Sequence, residues 1–86
     1  MTRYDIVFSV SANKELSKLD RLIAKRIVLK IDNLSRTPFP SGVKKLQGED
    51  LFRIRVGDYR VVYSINSSEK KIVIYRIRHR KDVYKK

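Results

Sequence analysis

The spacing of apolar residues along this chain switches from a short β-type run to a helical period and then to alternation. Tyr4-Asp5-Ile6-Val7-Phe8 is rich in β-favouring residues and predicts a first strand. Ser9 to Ser11 offer N-caps for a helix over 12–19, with Leu16 and Leu19 three apart on its buried side. Asp20 can cap a second, longer helix, in which Leu22, Ile23, Ile27, Ile31 and Leu34 recur at helical spacing while Arg21, Lys25 and Lys30 fall on the solvated side. Almost no chain separates the two, so they should form an antiparallel helical hairpin. The second helix must stop near Arg36, because Pro38 disfavours a helical Thr37 and Pro40 follows.

Beyond the prolines the pattern is that of strands and tight connections. Thr37 to Gly42 predicts a turn, and Lys44-Lys45-Leu46-Gln47-Gly48 a basic loop in which Gly48 is free to take positive φ. Strands are expected over 51–56, 59–65 and 71–78. The short links at Gly57-Asp58 and 66–70 make them antiparallel hairpins. The order β-α-α-β-β-β gives an α+β fold: a small antiparallel-rich sheet with the N-terminal helical hairpin packed on one face. One domain is expected over residues 1–86.

Alternation assigns faces. Phe52, Ile54 and Val56 oppose Leu51, Arg53 and Arg55; Tyr59, Val61, Tyr63 and Ile65 oppose Arg60, Val62 and Ser64; Val73, Tyr75 and Ile77 oppose Ile72, Ile74, Arg76 and Arg78. If the helices cover the Phe52/Val61/Val73 face, then Arg53, Arg55, Arg60, Arg76 and Arg78 converge on the other. So many like charges would repel one another, and an anionic ligand would relieve them. The plain alternative is a solvated sheet face, where a mixture of Lys, Thr and Glu is usual.

Composition narrows the classes. The 86 residues are 42% hydrophobic and 35% charged, which suits a small folded domain. There is no cysteine, so no disulfide framework or thiolate metal site is expected, in keeping with a reducing cytoplasm. No apolar run approaches a signal peptide or a membrane span, so a soluble protein away from membranes is expected. The formal net charge is +12, and it is unevenly placed: residues 1–43 carry eight Lys/Arg against four Asp/Glu, and residues 44–86 thirteen against five. That asymmetry is the electrostatic footprint of a nucleic-acid binder, although charge alone also fits a solubilising surface.

Three segments together are specific. Lys45-Leu46-Gln47-Gly48, then Phe52-Arg53-Ile54-Arg55-Val56-Gly57-Asp58-Tyr59-Arg60-Val61-Val62-Tyr63, then His79-Arg80-Lys81-Asp82-Val83-Tyr84 resemble the RelE family of prokaryotic toxins, within the RelE/ParE toxin–antitoxin superfamily. The likeness covers nearly the whole chain, since the leading strand and helical hairpin also match in order and length. It implies a RelE-like fold and a metal-independent, cofactor-free mRNA endoribonuclease (an mRNA interferase). Such an enzyme cuts mRNA in the ribosomal A site by attack of the ribose 2′-OH and so inhibits translation. It also implies a RelB-like antitoxin as partner, commonly covering the segment 82–86, with the ribosome and mRNA as further partners.

Matched residue by residue, the family's functional positions fall on Arg53 and Arg55, Arg60, Arg80 and Tyr84. Arg60 would clamp the scissile phosphate, and Arg80 would stabilise the developing oxyanion or the leaving 5′ oxygen. Tyr84 would stack on a splayed base or carry a proton. Arg53 and Arg55 stand where the family has lysines. An arginine in effect cannot lose its proton, so a lysine-as-base mechanism does not transfer and Arg55 is assigned an electrostatic role. Proton traffic is left to Tyr84 or to His79, the single imidazole, for which a structural role at the strand end is an equal expectation. Substrate contacts are expected from Arg53, Lys44, Lys45, Arg78 and His79. A ParE-like gyrase-inhibiting toxin and a non-catalytic RNA-binding relative are the alternative readings. Tyr59, Tyr63 and Tyr75 are read as packing residues, and Asp58 and Asp82 as too dispersed for a two-carboxylate or metal mechanism.

Overall fold

The structure is a computed structural model that describes residues 3–46 and 50–83. The expected Gly48 turn and Tyr84, with the rest of the C-terminal segment, lie outside the described residues. The elements are β1 (Asp5–Phe8), α1 (Val10–Ser17), α2 (Arg21–Leu34), β2 (Lys44–Lys45), β3 (Phe52–Val56), β4 (Tyr59–Asn66), β5 (Lys71–His79) and a short α3 (Arg80–Val83). The strands form one sheet in the order β1-β5-β4-β3-β2, with β1 parallel to β5 and every other pair antiparallel. This is the α+β architecture that the patterning implies.

The helix ends follow local chemistry. Ser9 is the N-cap of α1, its hydroxyl accepting from the Ala12 amide at 3.0 Å. The helix therefore begins two residues earlier than its apolar spacing suggests. Asp20 caps α2 by accepting from the Leu22 amide, as expected. The helix ends at Leu34, and its last carbonyls accept from the amides of Ser35, Arg36 and Thr37, just ahead of Pro38.

The core lies between the helices and one sheet face. Ala12 of α1, Ile27, Ile31 and Leu34 of α2, and Ile54, Val61, Tyr63, Ile72, Ile74 and Ile77 of the sheet are all buried. Leu22 departs from the expected stripe and is 71% exposed, whereas its neighbour Ile23 packs against the core. Tyr63 combines packing with a polar anchor: its phenol donates to the Pro38 carbonyl at 2.9 Å, tying the post-helix turn to β4. Burial pushes its phenol pKa up to about 12.

Two sequence readings need correction, and one element was not foreseen. Lys44 and Lys45 pair with Arg53 and Phe52 as a two-residue edge strand, where a loop was expected. The chain after β5 turns into α3, which no apolar period announced. The alternation along β5 also breaks: Val62 pairs with Arg76 and Tyr63 with Ile74, so Tyr75 has no residue opposite it in the ladder. That extra residue is a β-bulge and reverses the phase of the strand. Ile72 and Ile74 face the core before it and Ile77 after it, so Val73 does not share a face with Ile77.

Candidate functional site

Strand register places the cations. Arg55 of β3 lies opposite Arg60 of β4, and Arg60 lies opposite Arg78 of β5. Their neighbours Ile54, Val61 and Ile77 are buried against the helices, so the three arginines form a row across the opposite face. Directly opposed residues on antiparallel strands hold their Cβ atoms roughly 4.5–5.5 Å apart, where like charges destabilise the sheet. Two residues along, Lys44 lies opposite Arg53, and Arg53 opposite Val62. Arg60 is half-buried, with its Nε shielded from solvent.

The turn between β3 and β4 brings the C-terminal end to this row. Gly57 takes φ +59° while Asp58 does not enter the positive region, the pattern of a two-residue type II′ hairpin with glycine at its first central position. The Asp58 carbonyl accepts from the Arg80 amide at 2.7 Å, and its carboxylate lies 3.8 Å from the Arg80 Nε. Both side chains are about two-thirds exposed, so the ion pair is weak and the backbone bond does most of the positioning. His79 Nδ1 accepts from the Lys81 amide at 3.1 Å, and its ring stands edge-on to Tyr59 with centroids 5.1 Å apart. With Nδ1 used in this way, the imidazole caps α3 and fixes the direction in which Arg80 leaves the sheet.

The result is a cavity of about 320 Å³ lined by Arg55, Gly57, Asp58, Tyr59, Arg60, Arg80 and Lys81. It holds three guanidinium groups, one ammonium and one carboxylate, and so suits an anion. Guanidinium forks can grip phosphate oxygens in bidentate fashion without losing charge. Among the described residues no three His, Asp or Glu side chains gather into a group able to hold a metal ion.

Not every candidate arrives there. Arg53, Arg55, Arg60, Arg78 and Lys44 share the open face, and Arg80 reaches the cavity through Asp58. Lys45, adjacent to Lys44, takes the other side of the edge strand and pairs with exposed Asp50 at 3.9 Å. Arg76 leaves the cluster altogether. Its guanidinium donates to Glu15 of α1 at 2.9 and 3.1 Å, and the same carboxylate accepts from the Ile77 amide at 2.8 Å. The bulge puts Arg76 and Arg78 in the same phase, opposite buried Ile77, and it is the bond to Glu15 that draws the Arg76 side chain away to α1. Asp58, Tyr59 and Lys81 line the cavity without having been singled out as site residues. The signal for Asp58 lay in the hairpin count: once β4 and β5 pair, the residue before Tyr59 must meet the residue after His79.

The comparisons with known proteins agree with this architecture. A family model described as the ParE toxin of the type II toxin–antitoxin system parDE matches residues 6–84. Toxin RelG of Mycobacterium tuberculosis is 35% identical, over 96% of this chain and 98% of its own length. Among solved structures, the archaeal RelE–RelB complex from Pyrococcus horikoshii matches with a TM-score of 0.82 at 34% identity, over 92% of this chain and 97% of that one. The toxin–antitoxin complex RelBE2 of Mycobacterium tuberculosis matches with a TM-score of 0.78 at 32% identity, over 91% of this chain and 99% of that one. A family match over nearly the whole chain, on top of the RelE-like sheet and its arginine row, means that this protein belongs to the RelE/ParE family of type II toxin–antitoxin toxins.

Proposed function

We propose that this toxin is a metal-independent endoribonuclease that cuts mRNA in the ribosomal A site and so stops translation. The observation that carries the reading is the row Arg55–Arg60–Arg78, closing on a cavity that Arg80 also lines. In the proposed reaction the ribose 2′ oxygen bonds to phosphorus as the bond to the 5′ oxygen breaks. The 2′-OH proton passes to a base and the 5′ oxygen gains a proton, leaving a 2′,3′-cyclic phosphate and a 5′-OH. Arg60, half-buried on a central strand, holds the non-bridging oxygens. Arg80 stabilises charge on the leaving oxygen, and Arg53, Arg55 and Arg78 hold the flanking backbone. Tyr84 takes the proton-transfer or base-stacking role. His79 acts chiefly through its cap on α3, which aims Arg80. Arginines are poor acids and bases, so much of the rate must come from a substrate geometry imposed by the ribosome.

The solved RelB–RelE complexes among its relatives support an antitoxin partner for this chain, and a cytoplasmic site of action follows from the ribosomal target. A ParE-like gyrase inhibitor is the second reading, favoured by the description of the family model that matches. Primer extension on a message translated in a cell-free extract separates the two. The nuclease reading expects cuts within codons that vanish with Arg60→Ala or Arg80→Ala. An uncut message, together with loss of gyrase supercoiling activity, would support the second.

A further inference from the structure

One further cavity adjoins the first and a third adjoins that one, and their lining adds Lys30 and Arg36, which the proposed chemistry leaves unused. One, of about 270 Å³, lies where β2 and β3 meet the end of α2 and is lined in part by Lys30, Ser41, Lys44, Arg53 and Arg55. The next, of about 390 Å³, shares Lys30 and Ser41 with it and adds Arg36, together with the polar side chains of Asn33 and Thr37. Arg55 lines both the first of these and the cavity that holds Arg60 and Arg80. The three spaces therefore run in sequence from Arg80, past Arg55, to Lys30 and Arg36. Among the described residues, no Asp or Glu lines either added cavity. Among the described residues, Lys30, Arg36 and Lys44 make no ion pair.

We infer that this sequence of cavities is a track for single-stranded RNA, along which Lys30 and Arg36 bind backbone phosphates several nucleotides away from the scissile one. The inference rests on the RNA reading of the arginine face and extends it to the end of α2. A chain of cations spaced along a groove, with hydroxyl and amide groups between them, suits a flexible strand carrying one charge per nucleotide. A compact anion would need its cations to converge on one point. Neither Lys30 nor Arg36 belongs to the helix stripe that packs the core, and both are exposed.

Fluorescence anisotropy with two labelled RNAs of unrelated sequence, a trinucleotide and a dodecanucleotide, tests the track across a salt series. Each phosphate neutralised on a single strand contributes a slope of about −0.7 in log affinity against log salt. The double variant Lys30→Ala/Arg36→Ala should therefore lower the slope for the long RNA by about 1.4 and leave the short RNA unchanged. Lys30→Arg/Arg36→Lys, which keeps the charge, should retain the wild-type slope. An unchanged long-RNA slope in the alanine variant would overturn the track, as would an equal loss for both lengths. Loss of binding to polyglutamate in place of RNA would assign the groove to an acidic protein and also overturn it. The nuclease reading fails separately, by an uncut translated message, whatever the binding series shows.

Discussion

Single residues in this fold carry two duties at once, and Tyr63 shows the consequence most simply. Its ring fills the core and its hydroxyl holds the Pro38 carbonyl, so Tyr63→Phe should cost about 1 kcal/mol near neutral pH. That advantage depends on pH in a defined direction. The folded phenol keeps its proton up to about 12, whereas an unfolded tyrosine releases it near 10. Above pH ~10 the unfolded chain therefore binds fewer protons than the folded one, and stability falls as pH rises. The contribution is fully present below pH ~10 and is lost on the way through 12. Urea unfolding of wild type and Tyr63→Phe should show a gap that narrows over that range, and a gap constant to pH 12 would contradict the burial argument. At this scale the sequence was informative where a residue's role is local: Ser9 and Asp20 cap, and Pro38 follows the end of α2. It was silent on Asp58 and Glu15, whose roles depend on partners 22 and 61 or more positions away in the chain.

The element that decides the site is β5. Simple alternation would give Ile72, Ile74, Arg76 and Arg78 the same face, and a sequence reading has no means of inserting a bulge at Tyr75 between the isoleucines and the arginines. The unmatched Tyr75 makes Arg78 a member of the open row, while Glu15 draws Arg76, in the same phase, to α1. Glu15 fastens that arrangement, accepting from one bulge side chain and from the amide just after it. Glu15→Ala leaves both donors to water and should cost roughly 1–3 kcal/mol, while Glu15→Gln, which can still accept from Ile77, should recover part of that. Amide exchange at Ile77 should accelerate in Glu15→Ala and be restored in Glu15→Gln. Equal protection in all three proteins would mean that the bulge holds its phase without the carboxylate. The edge strand β2 and the short α3 were illegible for a related reason. Two and four residues are too few to show a period, and each exists because a neighbour supplies its hydrogen bonds.

Across the whole molecule, the uneven charge of the chain becomes an uneven charge in space. The N-terminal half supplies the helical layer over the core and one edge strand, and the more basic C-terminal half supplies the other four strands, whose open face carries Arg53, Arg55, Arg60 and Arg78. The helix order, the hairpins and the family resemblance could all be read before any coordinates, because each follows from short-range patterns. The path of the cations around the edge of the sheet could not, because Lys30 and Arg36 read as ordinary solvated positions of a helix and its exit until β2 and β3 are folded beside them. The central claim is chemical: Arg60 holds one RNA phosphate for attack by its neighbouring hydroxyl while arginines of β3 and β5 grip the flanking backbone. The most direct measurement is end-group analysis of a message translated in the presence of the toxin, with wild type beside Arg60→Ala. The account predicts fragments ending in 2′,3′-cyclic phosphate and beginning with 5′-OH from wild type, and none from the variant. Fragments bearing 5′-phosphate, or cleavage undiminished without the Arg60 guanidinium, would contradict it.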